Sequence, residues 1–370
     1  MQELRRTNSG LNRRTAIARM TGTAACLGLG IGCGNAGQST GGKLGIVSYT
    51  LGYRFGGFST IASNRNEQRP RKLIELMDYL QSHDVLCLQI ENGHIPLNDQ
   101  PALEDIRRQA ESCGMTLEVA GPTVGASSMA KMMHAAQVMG VKTVRVMLGM
   151  LIRAKKQVTN LEEWNAFRQK SIDGVREAVE LGEQMGLNVV VENHTDVTAD
   201  ELLEILDVVG LDRTGVLLDF GNQLPVAEDV IEAVTKLAPY AKTTHVKDWV
   251  LHPTDDGCTI TMVPLGQGVL PLPELLRIVR SANPDINVVI ENIVEQNLPV
   301  PYKDDAWWGG FPGRANRRES TSYMEAMLEQ SPPYTLHNHL AMTEQEALEV
   351  EEKNFLACIQ YARETLGVTG

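Results

Sequence analysis

From about Lys43 to its end the chain alternates between two periods, and that alternation leaves few folds open. Short runs rich in β-branched residues stand at 45–48 (GIVS), 85–91 (VLCLQIE), 116–120 (TLEVA), 143–148 (TVRVML), 188–193, 214–219 (TGVLLD), 241–247 (AKTTHVK) and 287–292. Such continuous apolar runs suit strands buried on both faces, as in a parallel sheet. Helical patterns occupy 70–82, 101–112, 127–139, 161–185, 200–209, 227–238, 271–282 and 343–365, the last opened by a Thr343–Glu346 capping box. Eight strand-then-helix units predict an α/β fold, a single (β/α)8 TIM barrel over residues 44–370. Residues 294–342 form a long insertion between the eighth strand and the last helix. A doubly wound sheet would place a Gly-rich phosphate turn after its first strand, but YTLGYRFGGF (49–58) lacks the G-x-G-x-x-G spacing.

In a barrel, chemistry gathers where strands end at the C-terminal face. Glu192 ends the fifth run, Asp219 the sixth and Glu291 the eighth, and His245 lies near the end of the seventh. A lone carboxylate at a strand end is more often a loop ion pair or a helix cap. Three acids at one mouth, however, would repel and raise one another's pKa values unless a cation joined them. Three oxygen donors and one imidazole suit one divalent ion, Mn²⁺, Co²⁺ or Mg²⁺, with Zn²⁺ also compatible.

The segments VVVENH (189–194), LLDFGN (217–222), THVKDW (244–249) and VVIEN (288–292), in this order, resemble the strand ends of the xylose-isomerase-like barrels, the sugar isomerase/epimerase superfamily. The resemblance covers about Leu44 to Ile293 and the last helix. Its ketose 3-epimerases imply Glu192, Asp219, His245 and Glu291 as metal ligands, with Glu192 and Glu291 as the acid/base pair. The implied reaction is proton abstraction next to a sugar carbonyl, through an enediolate that the metal stabilises. Asn222 stands where these epimerases often carry a second histidine, a departure from the pattern. His194 follows the Glu-Asn pair, and the resemblance puts it near substrate. Lys247 either contacts substrate or pairs with Asp248. Glu91 and Arg145 either bind sugar hydroxyls or form a structural ion pair. In the insertion, Trp307 and Trp308, with Phe311, offer a lid-like stacking platform, the alternative being a packed excursion; His337 and His339 follow.

If a leaving group lies β to the carbanion, the same site eliminates instead, so a lyase acting on 3-keto-glycosides is the near alternative. A non-catalytic exported sugar-binding protein is the alternative of another class. The net charge of −12, with no Lys/Arg stripe, argues against nucleic acid as partner. With no glycine nest or Arg cluster for a phosphate, a non-phosphorylated keto-sugar is expected. The resemblance also admits a homo-oligomer.

The first 36 residues have a different character. Arg13-Arg14 precedes a weakly apolar stretch, Met20–Gly32, and a small-residue Gly34-Asn35-Ala36 site. This is the pattern of a twin-arginine-type export signal, followed by a short linker over 37–43, and it predicts a periplasmic or other extracytoplasmic location. The apolar run is too short and Gly-rich for a stable membrane span. Lipid attachment at Cys33 stays open. Cys87, Cys113, Cys258 and Cys358 show no C-x-x-C spacing and read as core residues.

Overall fold

Each predicted β-branched run supplies one strand of a closed parallel barrel in the structure, a computed structural model. Residues 42–56, 72–294, 297–312, 314, 316–335 and 342–370 are described. The export signal with Cys33, the linker up to residue 41, and His337 and His339 lie outside the described residues. The first seven strands are β1 (Leu44–Val47), β2 (Cys87–Glu91), β3 (Thr116–Thr123), β4 (Thr143–Met147), β5 (Asn188–Glu192), β6 (Gly215–Asp219) and β7 (Ala241–Val246). An antiparallel hairpin, β8 (Asp248–Thr254) and β9 (Gly257–Val263), precedes the last barrel strand, β10 (Val288–Ile290). The order around the barrel is β1-β10-β7-β6-β5-β4-β3-β2, so β5, β6, β7 and β10 are consecutive neighbours. The helices are α1 (Gly52–Phe55), α2 (Leu73–Ser82), α3 (Gln100–Cys113), α4 (Met129–Val138), α5 (Leu161–Met185), α6 (Ala199–Val209), α7 (Val230–Leu237) and α8 (Leu272–Ala282). They are followed by β11 (Asn297–Val300), α9 (Asp305–Trp308), α10 (Arg317–Gln330) and α11 (Glu344–Glu364). The Thr343–Glu346 capping box forms as the sequence indicates.

Strand residues alternate between two apolar compartments, as the two-residue period requires. The larger core lies between strands and helices and includes Ile46, Leu88, Val119, Val144, Val191 and Leu218. The smaller one is Val47, Cys87 and Val289, with Tyr49 against it. Residues of this second parity face the lumen. Thus His245 on β7 reaches Gln89 on β2, and Thr243 on β7 reaches Glu118 on β3, although β7 neighbours neither strand.

The β8–β9 hairpin is absent from the sequence expectations, although the turn-forming residues Asp255, Asp256 and Gly257 stand between two apolar runs; Asp255 and Asp256 form its two-residue turn, with Thr254 paired to Gly257. It is tied down by Asp248. This buried carboxylate accepts the backbone N–H groups of Trp249, Gly266 and Gly268, each at 2.9 Å, and of Leu270 at 3.1 Å. Gly266 is left-handed (φ +80°), and a Cβ on Gly268 would meet Asp248 Oδ1 at 2.2 Å. Asp248 is therefore not the partner of Lys247.

The insertion begins with β11, which pairs antiparallel with β9. Trp308 was expected to offer a stacking face to sugar, and here the structure corrects the expectation. Its ring is 7% exposed and its indole N–H donates to the Tyr302 carbonyl at 2.8 Å. Phe311 is 3% exposed beneath the Arg153 guanidinium, 4.0 Å from its ring centre. Arg314 packs over both rings and donates to the carbonyls of Val226 and Ala227. Trp307 stays half-buried, edge-on to Trp308 at 4.8 Å. The aromatic cluster thus fastens the insertion to the loops after β4 and β6, because clustered rings gain more by burying each other than by facing water.

Two stability predictions follow from these anchors. Asp248→Ala leaves four backbone N–H groups without their acceptor and should cost roughly 3 kcal/mol or more in urea unfolding. Glu228, which accepts the Ala199 N–H at the start of α6, has its carboxyl pushed from 4.5 up to about 7 by burial, against that N–H and Arg314. A raised carboxyl contributes stability in full below 4.5 and loses it as pH rises through about 7. Glu228→Gln should therefore be nearly as stable as wild type at pH 4.5 and gain on it by pH 8; parallel urea curves across that range would contradict this.

Candidate metal centre at the barrel mouth

Four side chains converge from four neighbouring strands. Glu192 and Asp219 are the last residues of β5 and β6, His245 is next to last in β7, and Glu291 directly follows β10. All four are buried, and one ligand atom from each lies within 4.8 Å of the others. His245 Nδ1 faces Glu192 Oε1 and Asp219 Oδ2 at 3.6 Å and Glu291 Oε2 at 3.2 Å. It makes no well-formed hydrogen bond with any of them.

The asparagines that follow the two glutamates explain the recurring Glu-Asn. Asn193 accepts the Asp219 N–H at 2.7 Å and donates its amide to the Asp219 carbonyl at 2.9 Å. Its side chain so continues the ladder where β5 leaves the sheet, and it aims Asp219 inward. Asn292 donates to the Val263 carbonyl at 3.1 Å and accepts from Asn354 at 3.3 Å, fixing the end of β10 to β9 and α11. Each glutamate is thereby presented from a tied strand end rather than a free loop.

Two buried cations answer the carboxylates. Arg145 Nε lies 3.1 Å from Glu192 Oε2, and its guanidinium lies 3.7 Å from Glu91. Lys247 Nζ lies 2.7 Å from Asp219 Oδ2 and 2.6 Å from Glu291 Oε2. Asn222 bridges the groups, donating to Glu192 at 3.2 Å and accepting from Lys247 at 3.3 Å. Burial works against ionisation of Glu192, but Arg145 and His245 outweigh it and hold the carboxyl below its usual range. Glu291 is likewise held low, by Lys247 and His245 against burial. At Asp219 burial prevails over Lys247 and the carboxyl is raised. Burial alone would lower His245, yet the three carboxylates keep it well above its ordinary value.

The donor set fits a divalent ion on two counts. Four carboxylates, Glu91, Glu192, Asp219 and Glu291, gather around two strong cations, Arg145 and Lys247, and the same carboxylates that hold a proton on His245 would be answered by a dication bound in its place. Three carboxylate oxygens and one imidazole nitrogen also form a ligand set that such ions accept.

Of the polar residues singled out in the sequence, Glu91, Arg145, Glu192, His194, Asp219, Asn222, His245, Lys247 and Glu291 gather at this mouth, while His337 and His339 lie outside the described residues. His194, half-buried beside Glu192, has Nδ1 2.8 Å from the buried Asp196, and that contact together with Glu192 raises its pKa against the lowering effect of burial. Trp308 is packed away from solvent, as described above. Three participants were missed from sequence. Tyr49 donates its hydroxyl to Glu291 Oε1 at 2.7 Å, while Gln89 and Glu118 lie deeper in the lumen. Gln89 carried a signal: it interrupts the apolar run VLCLQIE at the same parity as Glu91.

Comparison with known proteins agrees with this architecture. A family model described as xylose isomerase-like TIM barrel matches residues 102–310, more than half of the chain and inclusive of all four converging residues. The uncharacterized protein YihM of Escherichia coli (strain K12) is 29% identical over 91 residues, which is 25% of this chain and only 28% of that protein's length. A D-psicose 3-epimerase solved in the presence of D-fructose aligns with a TM-score of 0.57 at 14% identity, covering 88% of this chain and 99% of the other. The 3-keto-D-glucoside 4-epimerase from E. coli aligns with a TM-score of 0.51 at 15% identity, covering 77% and 99%. At such identities the two epimerase structures establish a shared fold. With the family match over its central strands, the chain belongs to the xylose isomerase-like TIM barrel family.

Proposed function

We propose that this protein is a divalent-metal-dependent sugar isomerase or epimerase, which moves a proton on a carbon next to the carbonyl of an uncharged keto-sugar. The observation that carries the reading is the convergence of Glu192, Asp219, His245 and Glu291 on one buried point. These four would hold the ion, Mn²⁺, Co²⁺ or Mg²⁺ with Zn²⁺ compatible, and the bound ion would act as a Lewis acid on the carbonyl and its neighbouring hydroxyl.

The remaining work falls to the chain. Glu192 and Glu291 stand at the two ends of the four-strand arc, so they flank the centre from opposite sides. One takes the proton next to the carbonyl and the other returns a proton to the opposite face. Arg145 and Asn222 orient Glu192, while Tyr49 and Lys247 orient Glu291. Each glutamate thus offers its proton-accepting oxygen in a set direction, which is what positioned catalysis requires.

The substrate class follows from charge. Arg145 and Lys247 are each already matched to carboxylates, and His194 to Asp196. No cation of this group is left over for a phosphate or a substrate carboxylate, which supports a free ketose or a 3-keto-glycoside. The epimerases of similar fold act on such sugars, and a twin-arginine-type signal over residues 1–36 would deliver the protein outside the cytoplasm, where phosphorylated sugars are scarce. Elimination is the second reading. His194, held by Asp196 next to Glu192, is a candidate acid for a leaving group.

Proton NMR in D₂O, with Mn²⁺-treated protein for turnover and free ketoses and 3-keto-glycosides as substrates, tests the proposal. Deuterium entering next to the carbonyl with the skeleton intact is the expected result, and loss of the aglycone would assign the lyase. Glu192→Gln and Glu291→Gln should each slow exchange by about 10²-fold or more. Full activity in both would overturn the acid/base assignment, and sugar binding without exchange would make this a binding protein. Arg145→Met should lower stability by roughly 3–5 kcal/mol, since it leaves Glu192 buried without its cation; chemical denaturation measures this directly.

A further inference from the structure

Gln89 and Glu118 are buried, polar, and unused by the reaction described above. They are register partners on β2 and β3. Gln89 Oε1 lies 2.7 Å from His245 Nε2 across the lumen, and the Gln89 amide nitrogen donates to Glu118 Oε2 at 3.1 Å. Glu118 is otherwise surrounded by donors: Thr243 Oγ1 at 2.9 Å and the Asn287 amide nitrogen at 2.9 Å.

This chain of contacts has a direction. A carboxylate only accepts, so Glu118 requires the NH₂ end of the Gln89 amide to face it. The carbonyl end of that amide must then face His245. A carbonyl also only accepts, so the imidazole must carry its hydrogen on Nε2. Nδ1 is left as the nitrogen that faces Glu192, Asp219 and Glu291, and it would offer its lone pair to an ion bound among them in place of its proton.

We propose that Glu118 and Gln89 are positioning residues that set the tautomer and ring orientation of His245, making Nδ1 the nitrogen that binds metal. The proposal rests on the reading of the four-residue cluster as a metal centre. Neither residue touches metal or substrate; both act through His245. Partners of this kind typically contribute ten- to hundredfold in metal affinity. Glu118 exerts its effect from two hydrogen bonds away, so its replacement discriminates between an ordered relay and simple packing.

The test uses the full chain as wild type, Glu118→Gln, Gln89→Leu, and the swap Gln89→Glu/Glu118→Gln, which conserves charge and volume. Co²⁺ affinity is measured by calorimetry, and ¹⁵N-histidine NMR of the ¹¹³Cd²⁺-loaded protein reports which ring nitrogen binds. Glu118→Gln frees the Gln89 amide to turn over, and Gln89→Leu removes the acceptor; each should weaken Co²⁺ binding by about tenfold to a hundredfold. The swap should restore affinity to within about threefold of wild type, because the new carboxylate accepts from both sides. Wild-type affinity in both single variants would overturn the relay. So would metal bound through Nε2 in wild type, or a folded swap variant as weak as Glu118→Gln. If the wild-type chain takes up no metal, the underlying reading fails separately. The relay is then judged by the His245 Nε2–H signal: slow solvent exchange, lost in Gln89→Leu, supports it, and fast exchange in wild type overturns it.

Discussion

Like charges buried together are the constraint on which the rest of the structure depends. Three carboxylates meet a single imidazole at the ends of four neighbouring strands, and a fourth, Glu91, stands just beyond. Each would be costly to bury alone. The surrounding polar residues answer that cost in sequence: Arg145 between Glu91 and Glu192, Lys247 between Asp219 and Glu291, and Asn222 between the two sets. The carboxylates outnumber the two buried cations, Arg145 and Lys247, and this joins the electrostatics of the fold to the chemistry proposed for it.

Much of the barrel was legible because its signal is local. Eight β-branched runs and eight amphipathic patterns each declare themselves within a few residues, and the position of a carboxylate at the end of a run survives small errors in boundary. Glu192, Asp219, His245 and Glu291 could be placed together on that ground alone. What escaped is whatever depends on closure. Gln89 meets His245 only because β2 and β7 face each other across the lumen, 156 positions apart in sequence. Tyr49 reaches Glu291 because β1 and β10, the first and last barrel strands, are neighbours. No window of sequence contains either contact.

The insertion and the hairpin illustrate two other kinds of illegibility. The Asp255-Asp256 turn joins an antiparallel pair, for which a count of eight parallel strands has no place. For Trp308, composition was a poor guide, since a dense group of rings suits a ligand platform and a small core equally well. Arg153 and Arg314 decide the matter by covering Phe311 and, in the case of Arg314, Trp308. Arg153 comes from the loop after β4, far from the rings in sequence, whereas Arg314 follows Phe311 closely and is fixed over the rings by the carbonyls of Val226 and Ala227.

The apolar wedge of Val47, Cys87 and Val289 lies where the two ends of the barrel meet, because β1 pairs with β2 on one side and β10 on the other. The charged arc from Glu192 to Glu291 instead comes from strands that are also successive in the chain. Joining the remotest segments carries the largest loop-closure cost, and here it is met by apolar burial together with the parallel ladder between β1 and β10. Directional contacts cross the seam as well: Tyr49 donates to Glu291, and Thr50 donates to the Ile290 carbonyl and accepts the Asn292 N–H. Closing the barrel and shaping its mouth are thus one event, since a slip between β1 and β10 would carry Tyr49 away from Glu291.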